Sequence, residues 1–188
     1  MVEASVGRTL DAEGLYGLLE GIEHRAIAGA KGLPQQRRIE VTWEGVLFTL
    51  SRERLVAALD QVKEILNYPD VVTRVPGTRG WVKGIANVRG DLLPLIDLES
   101  FLWGHSASIR RRSRILVIEF AGQRVGMLVG EMVGIRHFSR AARMAVRTDL
   151  DPVLAPYVTG AYGLGDELWS VFDVQQLAAD PRFRVAAG

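Results

Sequence analysis

No cysteine occurs among the 188 residues, which excludes disulfides, thiolate nucleophiles and zinc–thiolate centres. Histidine is nearly as scarce. His24, His105 and His137 are the only three, and none has a carboxylate at ligand spacing, which argues against a metal site or a catalytic imidazole. Apolar runs stay short of the roughly 18 residues that a membrane-spanning helix needs, and the opening MVEASVGRTLDAEG lacks the basic-then-apolar pattern of a secretion signal. Neither sign of charge is in excess. With 23 basic against 22 acidic residues, the totals give no reason to expect nucleic acid or an anionic membrane as partner. There is no Gly-x-Ser-x-Gly elbow and no Walker phosphate loop, and the glycine-rich stretch 160–165 has the wrong spacing and leads into a strand. These absences lead us to expect a cytoplasmic, soluble chain with no catalytic constellation, no metal and no cofactor.

What is present is a repeat. Residues 81–102 lie over 157–178 at an offset of 76, so that Val82, Gly84, Leu92 and Asp97 meet Val158, Gly160, Leu168 and Asp173. Residues 47–65 lie over 117–135 at an offset of 70, matching Arg54 with Arg124, Val62 with Met132 and Ile65 with Ile135. The same two blocks recur in the same order, with about six extra residues between them in the second copy. This pattern describes a duplicated unit of roughly 60 residues whose copies pack along a seam.

Local patterning fills in the elements. Leu15, Leu18, Leu19, Ile22 and Ala26 form the stripe of an amphipathic helix between Asp11 and about Ala30. Such a helix either docks on the chain's own surface or is offered to a partner. From residue 35 onward the pattern is that of strands. Val46–Leu50 and Leu55–Ala58 flank a turn at Ser51–Glu53, and Val62–Leu66 forms a further strand. Trp81–Val88 and Leu92–Leu98 flank Arg89-Gly90-Asp91. Pro94 places its strand at an edge or a bulge. The second copy repeats this order, with Gly165-Asp166-Glu167 as its last turn and a closing helix over 173–179. Many short strands and few helices indicate two small barrels rather than a parallel sheet. The basic runs Arg110-Arg111-Arg112 and 139–147 read as solvated surface, because no aromatic residues interleave as a nucleic-acid groove would require. Alternation sets Ile85, Asn87 and Arg89 on one face of their strand. Arg89 then either contacts a partner directly or ties its turn to Glu64.

The segment Val62–Ile65, the string VKGIANVRG at 82–90, Leu93-Pro94-Leu95-Ile96-Asp97-Leu98 and the paired second half together resemble the CheW-like family of chemotaxis coupling proteins. Within that family they are similar to the coupling proteins of type IV pilus twitching-motility systems. The resemblance implies a mainly β fold of two SH3-like five-stranded β-barrels in tandem, preceded here by the amphipathic helix. It divides the chain into an extension at 1–36, a domain at 37–180 made of two pseudo-repeated halves, and a tail at 181–188. It also implies a scaffold without activity of its own, held at membrane-associated receptor arrays between a chemoreceptor's cytoplasmic tip and a CheA-like histidine kinase, with no nucleic acid bound and no membrane insertion. By motif match the receptor-facing groove includes Val62, Glu64, Gly84, Asn87 and Arg89, extended by Ile115, Met132 and Ile135. Two alternatives stand beside this reading: a stand-alone regulator competing for kinase sites, and a small-molecule-binding barrel. The chain departs from the family pattern at Val129-Gly130, where Val-Asp is common, and at Val88-Arg89, where Leu-Arg is common.

Overall fold

Val46–Leu50 and Ile115–Ile118 are apolar at almost every position rather than every second one, so strands built from them need cover on both faces. The computed structural model, which describes residues 42–120 and 122–184, shows how that cover is supplied. The expected helix over 11–30 lies outside the described residues. The elements are β1 (Thr42–Leu50), β2 (Glu53–Ala58), β3 (Glu64–Asn67), β4 (Val82–Val88), β5 (Asp91–Asp97), α1 (Leu98–Trp103), β6 (Ser113–Phe120), β7 (Gln123–Ser139), β8 (Val158–Leu164), β9 (Glu167–Phe172), α2 (Val174–Ala179) and α3 (Pro181–Arg184). They form two five-stranded arrays, β3-β6-β7-β5-β4 and β7-β1-β2-β9-β8, joined by the 17-residue β7, which pairs with β6 and β5 in its first half and with β1 in its second.

The duplication is written into the register. Glu64, Ile65 and Leu66 stand opposite Val117, Leu116 and Ile115. An offset of 70 turns these pairs into Gly134/Leu47, Ile135/Val46 and Arg136/Gly45, which are the observed pairs of β7 with β1. An offset of 76 likewise turns Val82/Ile96, Ile85/Pro94 and Ala86/Leu93 into Val158/Phe172, Ala161/Ser170 and Tyr162/Trp169. Even the parallel contact Leu95/Gly126 has its image in Val171/Val56. The copies are therefore related residue by residue, yet neither array is one copy. The β1–β2 hairpin of the first copy joins β8–β9 of the second, and β6–β7 of the second joins β3, β4 and β5 of the first. This exchange buries both faces of the apolar strands. Val46, Phe48, Leu50, Leu116 and Ile118 face the shared seam. Leu47 faces the interior of the second array, and Ile115 and Val117 that of the first. The two interiors are filled differently: Ala86, Leu93 and Ile115 in the first correspond to Tyr162, Trp169 and Gly45 in the second. The rings of Phe138 and Trp43 lie so close to the Gly45 backbone that a Cβ there would come within 2.9 and 3.0 Å of them, as close packing demands.

Asp97 and Asp173 take the same place in the two copies. Each accepts from a backbone N–H of the helical turn that follows it, Ser100 at 3.0 Å and Gln175 at 2.9 Å, and so acts as an N-cap. The backbone N–H of each donates at 2.8 Å to the carbonyl of Trp81 and Tyr157 respectively. Asp97 is fully buried and ion-paired with Lys83 at 2.8 Å.

Residues 181–184, the start of the expected tail, fold as α3, and Phe183 is only 4% exposed. Phe183 stacks on Trp81 with centroids 5.8 Å apart and meets Phe101 edge-on at 5.5 Å. Just before this segment, Asp180 accepts from the Tyr157 hydroxyl, to which Arg182 also donates at 2.7 Å. The C-terminal turn thus grips Trp81 and Tyr157, the same position in the two copies. The bond from Arg182 holds the Asp180 carboxyl down at about 2, and burial, reinforced by Asp180, pushes the Tyr157 hydroxyl up to about 12. A carboxyl depressed in the folded state binds fewer protons than in the unfolded chain. Its contribution to stability is therefore complete above about pH 4 and declines as pH falls towards 2. A raised phenol has the opposite sense, and its contribution declines as pH rises from about 10 towards 12. Urea midpoints measured across pH should fall at both ends. Asp180→Asn should flatten the acid limb and Tyr157→Phe the alkaline one, and unaltered slopes would show that the triad is not the source.

Candidate functional site

The β4–β5 hairpin closes through Arg89 and Gly90, whose φ angles of +55° and +95° are both positive, as a two-residue turn of this hand requires. The Asn87 side-chain oxygen accepts from the Gly90 backbone N–H at 2.8 Å and secures the turn. Arginine in a left-handed conformation is uncommon and costs energy. Here the strain projects the guanidinium across the sheet, where Arg89 Nη1 meets Glu64 Oε1 at 2.7 Å. The other Glu64 oxygen receives Arg124 Nη2, also at 2.7 Å, and Arg124 Nη1 lies 3.6 Å from Asp91. Glu64 is 22% exposed whereas Arg89 is 77% exposed, so one carboxylate is sheltered beneath a largely solvated guanidinium. Beside this chain of charges runs a groove of about 210 Å³, walled by Leu66 and Asn67 on one side and Asn87 and Val88 on the other, and backed by Leu95 and Ile115.

The structure brings together Glu64, Asn87 and Arg89. Gly84 lies in the same strand, buried, where it lets the backbone pass close to Thr73. Ile115 is 0% exposed and only backs the groove, and Val62 is 7% exposed within the seam. Met132 packs against the seam, and Ile135, 40% exposed, lies on the second half of β7 opposite Val46; neither lines the groove. Arg124 and Asp91 complete the ionic chain and were not singled out in the sequence. A signal for Arg124 was present in its match with Arg54: the corresponding pair in the other array is Arg54–Glu167 at 2.8 Å. Gly130 also finds its reason here. A Cβ at that position would come within 2.9 Å of Thr49 Oγ1 and 3.0 Å of the Thr49 carbonyl, while the Glu131 N–H donates to the same hydroxyl at 2.9 Å. A side chain at 130 would push β7 off β1.

Comparing the halves separates what the fold requires from what it does not. Gly84, Asp97 and Arg124 are matched by Gly160, Asp173 and Arg54. By contrast Glu64, Asn87 and Arg89 are matched by Gly134, Gly163 and Gly165. The second array folds with the same register and none of these three polar side chains. The fold position does not demand them, and they are clustered.

Comparison with known proteins gives a consistent picture. The family described as "CheW-like domain" matches residues 44–182. The chain is 34% identical over 173 residues to Protein PilI of Pseudomonas aeruginosa, covering 92% of this chain and 96% of that protein. It is 29% identical over 135 residues to Chemotaxis protein CheW of Klebsiella aerogenes, covering 71% and 80%. Among solved structures, the scaffolding protein TtCheW of Thermoanaerobacter tengcongensis superimposes with a TM-score of 0.61 at 22% identity, over 76% of this chain and 91% of that one. This last likeness concerns the fold, and it matches the mainly β, two-array architecture described above. Among the described residues no helix is long and apolar enough to cross a membrane.

Proposed function

The chain belongs to the CheW-like family, and from that membership we propose that it is a non-enzymatic adaptor joining the cytoplasmic tip of a chemoreceptor to a CheA-like histidine kinase. Its likeness to PilI supports placing it in a system that controls type IV pilus twitching motility, at membrane-associated receptor arrays. The observation that carries the reading is the asymmetry between the copies: Glu64, Asn87 and Arg89 form one connected surface in the first array, where the second has three glycines. A helical receptor tip fits this surface through its apolar side chains in the groove and a carboxylate on Arg89. The guanidinium can fork between Glu64 and the partner, which a lysine could not do.

The test pairs receptor-tip titration with thermal unfolding for Arg89→Ala, Glu64→Ala and the double variant. Arg89→Ala should weaken binding by about 2 kcal/mol, roughly thirtyfold. Its effect on stability should stay under about 1 kcal/mol, since the ion pair it breaks lies at the surface. Glu64→Ala should weaken binding as well, because it frees Arg89 to swing away, and the two substitutions should be non-additive. Undiminished affinity in all three variants would remove the receptor assignment and leave the kinase as the partner for this surface.

A further inference from the structure

A trough of about 500 Å³ lies away from the groove, between the β1–β2 turn and the segment joining α1 to β6. Arg52, Arg110, Arg111 and Arg112 line it, with Thr49, Ser51 and Ser113 between them. Arg112 is satisfied by Glu131 at 2.7 Å. The guanidiniums of Arg52, Arg110 and Arg111 have no acceptor among the described residues, and all three side chains are exposed. The backbone that presents them is nevertheless tied down. The Arg110 N–H donates to the buried Ser113 hydroxyl at 2.9 Å, the Ser113 N–H donates back to the Arg110 carbonyl at 2.9 Å, and Arg114 donates to the Arg111 carbonyl at 3.0 Å. The basic run is the solvated surface that its composition suggested, presented on a backbone held in place.

The duplication supplies an internal control. The corresponding cleft of the other array is bounded by Asp60, Gln61, Lys63, Glu119, Gly122 and Gln175, where all but Lys63 match trough residues: Gly130, Glu131, Thr49, Arg52 and Glu99 in turn. Arg52 has Gly122 in its place there, and Arg110, Arg111 and Arg112 have no counterpart in that lining. Its one cation, Lys63, pairs with Glu119 at 3.3 Å, so the basic charge of the trough is not a condition of folding. We propose that this trough binds an acidic, extended segment of a partner protein. Three unpaired guanidiniums distributed along a trough suit spaced carboxylates, each of which takes a forked pair of hydrogen bonds. Glu99 and Glu131 on its walls oppose a single dense polyanion, and a recessed trough between two loops is a poor match for the plane of a bilayer.

The experiment titrates the full chain with a fluorescently labelled peptide of four Glu-Ser repeats, with phosphatidylserine vesicles and inorganic phosphate as parallel arms. At low ionic strength, about 20 mM, the peptide should bind, and binding should fall steeply as salt approaches about 300 mM. The double variant Arg110→Ala, Arg111→Ala should bind about tenfold more weakly, the sum of two modest charged contacts. Arg74→Ala, an exposed arginine elsewhere on the surface, should stay within about twofold, and Arg89→Ala should also leave the peptide affinity intact, which separates this trough from the proposed receptor surface. Equal weakening by Arg74→Ala would reduce the effect to net charge and overturn the proposal. So would vesicle binding that exceeds peptide binding, displacement of the peptide by millimolar phosphate, or no peptide binding at all.

Discussion

Alanine at Gly84 should destabilise the chain by about 3–4 kcal/mol, lowering the melting temperature by roughly 10 °C, with the denaturant slope unchanged. Gly84 sits at φ +137°, a conformation that an L side chain rarely adopts, and at the register shift in β4 that follows Val82. A Cβ there would run into the backbone carbonyl of Thr73, which cannot retreat, because Thr73 and Ile85 exchange hydrogen bonds of 2.9 and 2.8 Å. Gly160 holds the same place in the second copy, where Met144 and Ala161 exchange the equivalent bonds. Its added Cβ would meet Arg143 Nε at 2.7 Å and the Met144 carbonyl at 2.9 Å, and no left-handed φ compounds the crowding. Since the Arg143 side chain can move and the backbone need yield only a little, Gly160→Ala should cost about half as much. Urea unfolding of the two variants measures the contrast. A Gly84→Ala loss below about 1 kcal/mol would mean that β4 can shed its bulge without harm.

Those two glycines also mark how far a single chain can be read without coordinates. Matching Gly84 with Gly160 and Asp97 with Asp173 in sequence anticipated equivalent backbone positions, and the register and the N-caps bear this out, although only Gly84 takes a positive φ. The offsets could not reveal which hairpin pairs with which. An offset states that two segments are alike, whereas β2 lying beside β9 and β5 beside β7 is settled by where doubly apolar strands find cover. The C-terminal turn was missed for a related reason: Pro181-Arg182-Phe183-Arg184 is too short to show a periodicity, and Phe183 draws its importance from Trp81, about a hundred residues away.

At the site, the pairing of Arg89 with Glu64 was one of two readings, and it is observed at 2.7 Å. It does not displace the other reading, because Arg89 remains mostly in solvent. Val62 and Ile115 show the limit of motif transfer. A motif fixes a position along a strand, but which face the side chain takes depends on register, and here both side chains turn inward. Arg124 shows the reverse limit. It lies 60 residues from Glu64 in sequence, and only the folding of β6–β7 against β3 brings the two together.

Truncating Phe183 to alanine should destabilise the chain by about 3 kcal/mol, the lower end for a buried aromatic, because a segment so near the end of the described chain can partly relax around the loss. The ring is 4% exposed and lies parallel to Trp81 at an interplanar angle of 6°. Phe101 closes the cluster, edge-on to both rings, with the Arg182 guanidinium 5.1 Å above its own ring. Geometries of this kind add about 0.5–1.5 kcal/mol per aromatic pair beyond burial alone. The consequence should be regional as well as global. Trp81 immediately precedes β4, and its carbonyl accepts the Asp97 N–H at the end of β5, so it anchors the hairpin that presents Arg89. Losing the Phe183 stack should therefore raise amide exchange in Val82–Val88 more than in β8, where the Tyr157–Asp180–Arg182 bonds survive the substitution. Hydrogen exchange on Phe183→Ala, read beside a double-mutant cycle with Phe101→Ala, makes the distinction. A coupling near zero, or equal acceleration in β4 and β8, would show the C-terminal turn to be passive cover, with no hold on the hairpin that carries the proposed receptor surface.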